Sequence, residues 1–328
     1  MALNTPSQTY TELTAAILPK RRKKIADAIS NKNAYWMKMK EKGRIRTESG
    51  GTQIEERLIY DSYAVQNYVG SQQWITDGKP TITASQWAWV QKFLPVTATG
   101  KEIRIAMADE DTAIRFVKER IEVAHKSIAN HMAVEIFGDG LTTSAIYGLK
   151  TLVSDGGGGI VGGLDSAIAT NWQNQSVHQD IAAFGVNQVA SDLRYLWRAC
   201  LHADGKPDII LANSDVFEAV ESSMVPQQRY MDEKLANSSF EQVGFKGVPL
   251  VEDYNTNFLS LNNTGAPGNP RAYMLKYDTM YIFQHKDAKW EREETRTPHN
   301  SDTIIIPFLA MLNQVCTDRR KNGVYYTS

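Results

Sequence analysis

The sequence predicts an α+β protein in which one long helix stands between an extended two-stranded ribbon and a mixed α/β body. Three observations carry that expectation. Ile114, Val117, Ile121, Ala124, Ile128, Met132 and Ile136 recur at spacings of three and four, the period of a single helical face. Upstream, residues 44 to 99 hold β-prone runs divided by glycine-rich and polar turns. Downstream, from about residue 146, helical and strand patterns alternate to the last residues.

The chain has 328 residues, 42% of them hydrophobic and 22% charged, which is enough for one large or two medium domains with a real core. That balance excludes whole-chain disorder. No apolar run reaches the roughly 18 to 20 residues that span a bilayer, so no membrane association is expected. Residues 1 to 19 lack a charged start followed by an apolar block and do not read as a secretory signal. Cys200 and Cys316 are too few for a disulfide framework or a cysteine-based zinc site. A reducing, cytoplasmic folding environment fits best.

Charge is unevenly placed. Residues 1 to 46 hold eleven Lys or Arg and three Asp or Glu, a balance of +8, so the rest of a chain of net charge -1 carries about -9. Residues 11 to 42 read as helix, interrupted at Pro19 and stopped at Gly43. The run Lys20, Arg21, Arg22, Lys23 and Lys24 suits nucleic acid or an acidic neighbour, and equally a solvated helix face. Arg44 to Glu48 and Thr52 to Tyr60 flank Ser49-Gly50-Gly51, a turn signal between β-prone runs. Asp61 to Pro80 is a polar excursion, and Thr81 to Thr99 is extended, with Trp87 and Trp89 on one face. An isolated two-stranded ribbon is marginal in water, so this one is expected to lie against something else, such as another chain. The alternative is that both tryptophans are ordinary core residues.

Asp109-Glu110-Asp111 places negative charge at a helix start, and Gly138-Asp139-Gly140 stops the helix, giving a rod over residues 109 to 137. In the body, Tyr147 to Val153 is expected as a strand and Gly156 to Gly163 as a loop. Ile181 to Ala203 and Ser214 to Met224 read as helices. Strands are expected at Pro207 to Asn213, Gly247 to Glu252, Ala272 to Lys276, Met280 to His285, Thr303 to Val315 and Gly323 to Tyr326.

No catalytic constellation emerges. Gly157 to Gly162 satisfies the letters of a dinucleotide-binding loop, but no clean helix follows it, and the acidic residue that should come about 20 positions on is missing. His131 and Glu135 share a helical face without a third ligand nearby in sequence. H-E-x-x-H and G-x-S-x-G are absent, and Cys200 lies in an apolar helix. No cofactor, metal or catalytic residue is expected.

The order of parts, together with local stretches, resembles the tailed-bacteriophage major capsid proteins of the Hong Kong 97-type fold. The stretches are Arg46 to Gly51 leading to Leu58-Ile59-Tyr60, Thr83 to Trp89, and Ile136 to Gly140. Further on come Gly148-Leu149, Leu152 to Asp155, Gly162 to Asp165 and Lys206 to Ala212. The resemblance implies an N-terminal arm (1–44), an extended loop (45–100), and a peripheral domain with the spine helix (101–145, rejoined by 303–317). It also implies an axial domain (146–302, rejoined by 318–328). The implied function is a non-enzymatic subunit that assembles through hexamers and pentamers into an icosahedral shell, folded in the host cytoplasm and carried in the virion. Implied partners are further copies of the chain, portal and scaffolding proteins, packaged dsDNA on the inner face and a decoration protein. An encapsulin-like shell around enzyme cargo is the alternative, and a soluble nucleotide-binding enzyme a more distant one. Candidate inter-subunit contacts are Lys20, Arg21, Arg22, Lys23, Lys24, Trp36, Trp74, Trp87 and Trp89.

Overall fold

A computed structural model describes residues 33–59, 81–106, 110–140, 144–201, 205–224, 242–253, 269–292 and 302–328, with scattered positions between them. The first helix, α1 (Ala34–Glu41), begins at Asn33, whose Oδ1 accepts the Trp36 N–H at 2.8 Å. It ends where Gly43 takes a φ of +64°. There the Gly43 N–H reaches Lys40 O at 3.1 Å and the Arg44 N–H reaches Met39 O at 2.9 Å, the paired bonds of a Schellman stop.

Two strands follow, β1 (Ile45–Glu48) and β2 (Gln53–Ile59), then β3 (Ile82–Ala88) and β4 (Val90–Thr99). The turn signal at Ser49-Gly50-Gly51 separates β1 from β2 without pairing them. β2 pairs with β3 in antiparallel register, Ile54 opposite Trp87 and Leu58 opposite Thr83, while β1 enters another sheet. The glycine pair marked a reversal without naming a partner. Trp87 covers the apolar face of β2, which the mostly polar Ile-Arg-Thr-Glu of β1 cannot do.

Next come α2 (Gly100–Ala106) and α3 (Glu110–Glu135), then α4 (Leu149–Leu152) where a strand was expected. The chain continues through β5 (Ile160–Val161), β6 (Leu164–Asp165), β7 (Gln175–Gln179), α5 (Val186–Cys200), β8 (Ile209–Ala212) and α6 (Ser214–Met224). It closes with β9 (Gln242–Phe245), β10 (Val248–Glu252), β11 (Arg271–Leu275), β12 (Met280–Arg292), β13 (Thr303–Cys316) and β14 (Gly323–Thr327). Among the described residues no helix is long and apolar enough to cross a membrane.

The described residues fall into two units, one of 91–133 and 285–311, the other of 33–90, 134–284 and 312–328. β12 and β13 are neighbours in a four-stranded sheet of order β1–β12–β13–β4. In the smaller unit β4 alternates, with Lys92, Leu94, Val96 and Ala98 half-buried and Phe93 among the exposed residues. Thr99 and Glu102 form a capping box at α2. The Thr99 Oγ1 accepts the Glu102 N–H at 3.3 Å, and Glu102 Oε2 accepts the Thr99 N–H at 2.8 Å. The other oxygen of Glu102 holds Arg120 of α3 at 2.9 Å. At 26 residues, α3 is about 39 Å long. Ala124, Ile128 and Met132 are buried at helical spacing, and the His125 ring meets Phe308 edge-on at 5.5 Å.

In the larger unit the main sheet has order β7–β14–β11–β8–β10–β9. β8 lies between parallel β10 and antiparallel β11 and is buried on both faces, as its continuous Ile-Ile-Leu-Ala run requires. One face packs against α5 and α6, joining Val189, Leu193, Leu196, Val216 and Val220 to Ile210, Ala212, Leu250 and Met274. On the other face Tyr273 meets Phe137 at 6.5 Å.

Candidate subunit interface

The ribbon β2–β3 is anchored at its base and open at its far end. Alternation puts Ile54, Glu56 and Leu58 of β2 on one face, opposite Trp87, Ser85 and Thr83 of β3. At the base Ile54, Ser85 and Trp87 are each 0% exposed. The Trp87 indole N–H donates to Ser85 Oγ at 3.0 Å, Ser85 Oγ donates to Glu56 O at 3.3 Å, and the Trp87 ring meets Tyr147 edge-on at 5.3 Å. At the far end the directly opposed pair Ile59 and Ile82 is 74% and 67% exposed on the outer face, with Val65 and Val69 exposed further along.

This arrangement corrects the expected role of Trp87. It is the largest fully buried side chain among the described residues, so it belongs to the core of its own subunit rather than to an inter-subunit contact. A tryptophan at the root of a ribbon is covered by the body below, and the period-two pattern could not separate root from tip. Trp89 is half-buried just beyond β3, beside Ala88, whose carbonyl accepts from Asn313 Nδ2 at 2.6 Å. Trp36 is half-buried on α1. Lys20, Arg21, Arg22, Lys23, Lys24 and Trp74 lie outside the described residues.

The end of the expected N-terminal arm is likewise part of the body. On α1, Ala34, Tyr35 and Met39 are each 0% exposed. The Tyr35 hydroxyl accepts from Gln314 Nε2 at 2.7 Å, and its ring lies 6.0 Å from that of Tyr277. Burial pushes the Tyr35 phenol well above its ordinary pKa. Beyond the helix, the Arg46 guanidinium stacks 3.8 Å from the centre of the Tyr281 ring. The sequence's thin apolar stripe is therefore covered internally over residues 34–41.

The glycine-rich loop has a structural explanation. Val161 pairs with Leu164, so Gly162 and Gly163, at φ +60° and +74°, form the two-residue turn of the β5–β6 hairpin. Gly162 abuts the ribbon root. Its carbonyl accepts the Gln86 N–H at 2.9 Å, and a Cβ there would come within 2.7 Å of the Trp87 ring. The loop leads into β6 and so lacks the helix N-terminus that cradles a pyrophosphate.

Arg319 ties together the segments on either side of this loop, and little in the sequence marks it. Its guanidinium is 0% exposed. It donates to Leu152 O and Trp172 O at 2.9 Å, to Asn174 Oδ1 at 2.8 Å and to Ser154 Oγ at 2.9 Å. All four acceptors are neutral. Burial lowers its pKa to about 10, so near neutral pH it stays charged and keeps every donor. The only sequence signal was an arginine in the short link Asp318 to Asn322 between two strongly apolar strands.

A groove of about 300 Å³ lies beside the ribbon, lined by Arg57, Leu58, Ile59, Trp172, Asp318 and Arg320 among others. The Arg320 and Asp318 side chains pair with each other at 3.2 Å. Among the described residues no group of three or more His, Cys, Asp or Glu gathers as a metal site. Cys200 and Cys316 are both buried, and burial raises each thiol to about 12, so neither is a nucleophile near neutral pH.

No protein-family model and no curated protein matches the sequence. Solved structures do. The capsid protein of cyanophage A-1(L) superposes with a TM-score of 0.64 at 15% identity, covering 86% of this chain and 89% of that one. The SrpI encapsulin of Synechococcus elongatus PCC 7942 gives 0.62 at 12% identity, over 99% and 96%. The capsid protein of a native GTA particle gives 0.57 at 12% identity, over the whole of both chains. The chain has the Hong Kong 97-type capsid fold, the fold of proteins that build closed shells.

Proposed function

We propose that the chain is the major capsid protein of a tailed bacteriophage, assembling through hexamers and pentamers into an icosahedral shell around dsDNA. The observation that carries the reading is a ribbon locked at its root by Trp87 and Gly162 while its far end exposes Ile59 and Ile82. Exposed apolar pairs on a projecting two-stranded element are stabilised by burial on a neighbour. The fold supports the same reading over nearly the full chain. Under it the unit holding α3 is the peripheral domain, and the six-stranded sheet with α5 and α6 is the axial domain. The basic run at 20–24 serves as an arm against an acidic neighbour or packaged DNA, and portal and scaffolding proteins are its assembly partners.

An encapsulin-like shell is the second reading, favoured by the likeness to SrpI over 99% of this chain. Expressing the full chain and imaging it by electron microscopy tests the shell; the bound content separates the readings. Particles that protect DNA from nuclease support a capsid, whereas a stoichiometric co-purifying enzyme supports the encapsulin. A chain that stays monomeric at high concentration contradicts both.

A further inference from the structure

The larger unit carries a cationic cluster that no described carboxylate pairs with. Arg194 and Arg198 stand one turn apart on α5, both exposed. Lys246, at the turn between β9 and β10, places its ammonium 4.6 Å from the centre of the Trp197 ring in the same helix. None of the three has a carboxylate partner among the described residues. Desolvation, and then repulsion by Arg198 and Arg194, pulls Lys246 below its ordinary pKa. Such crowding destabilises the isolated chain and is relieved by an anion from outside.

A complementary surface stands at the opposite end of the same sheet. β10 runs parallel to β8, with Leu250 beside Ile210, so the Lys246 turn lies at the end where β8 begins. α6 starts where β8 ends, and its first turns expose Asp215 and Glu218. The helix dipole accounts for Asp215 in the first turn. It does not account for Glu218, which has no cationic partner among the described residues.

We propose that copies of this chain pack edge to edge through these surfaces, the Arg194–Arg198–Lys246 cluster of one copy against the Asp215–Glu218 face of α6 on the next. The inference rests on the shell reading and specifies how its rings close. Two different and complementary patches on one subunit give a head-to-tail contact, the kind that generates rings. Three cations at one edge also match a small acidic face better than a duplex, which carries a charge about every 1.7 Å along its axis.

Charge exchange tests the pairing in the full-length protein. Arg198→Glu alone and Glu218→Arg alone should each raise the concentration needed for assembly about tenfold or more, and the double variant should recover most of that loss. The neutral variants Arg198→Gln and Glu218→Gln, checked by circular dichroism, should shift assembly in the same direction and guard against misfolding. Wild-type assembly by every single variant overturns the proposal and leaves the shell reading standing. So does loss of assembly that the exchange fails to repair. Normal assembly with reduced DNA retention makes nucleic acid the partner and also overturns it. A wild-type chain that never assembles removes the shell reading itself.

Discussion

At the scale of single residues, buried groups fix the ribbon's root. Arg319→Met removes a guanidinium and leaves the carbonyls of Leu152 and Trp172 buried without the donor it supplied, while Asn174 Oδ1 keeps only its bonds from Ser154. The expected cost is about 3 kcal/mol or more, read as a lower urea midpoint of the dissociated subunit. Gly162→Ala combines a left-handed backbone with a Cβ against Trp87, and should cost about 1–2 kcal/mol with a change in tryptophan emission. Trp87→Ala should cost about 3–5 kcal/mol and reduce soluble subunit as much as assembly. Cys200 and Cys316 should resist alkylation at pH 8 until the chain unfolds. Their thiols are raised from 9.0 to about 12 in the folded state, so stability is complete below about pH 9 and falls as pH rises towards 12. Of these residues the sequence displayed Trp87 and the glycine run but not their roles. Nothing in a string of letters tells whether a tryptophan lies at the root or the tip of a ribbon. Arg319 was illegible because its acceptors lie 145 to 167 positions away.

At the scale of elements, local signals were reliable where short-range physics decides. The glycine stop at Gly43, the apolar period of α3 and the continuous apolar run of β8 all took the form their patterns require. The Thr99–Glu102 capping box carries a plain T-x-x-E signature that could have been used to place α2. Pairing was less legible. β1 and β2 flank a good turn signal yet join different sheets, because strand partners are selected by face-to-face burial over long separations. Tyr147 to Val153 became a short helix despite its apolar run, a length at which helix and strand patterns are indistinguishable. The ribbon itself makes a clear prediction. Replacing both Ile59 and Ile82 with Ser should leave subunit stability within about 0.5 kcal/mol, since both are exposed, while weakening assembly. Thermal melting of the dissociated subunit and light scattering of the assembling one separate these effects.

At the scale of the whole molecule, the fold was more legible than the interface. The order of ribbon, long helix and mixed body survives in sequence because each part keeps its own periodicity. An interface has no period, and the candidate contacts divided accordingly, with Trp87 entering the core and Trp36 and Trp89 half-buried. Surfaces meant for another copy show themselves only once the subunit's own burial has been subtracted. Among the described surfaces left by that subtraction are the Ile59–Ile82 pair and the two charged patches of the larger unit. Analytical ultracentrifugation of the purified full-length chain, followed by electron microscopy of the fast-sedimenting fraction, addresses the shell claim most directly. Closed hollow particles, or rings of five and six subunits, are the predicted result. A single monomeric species at every concentration would contradict it.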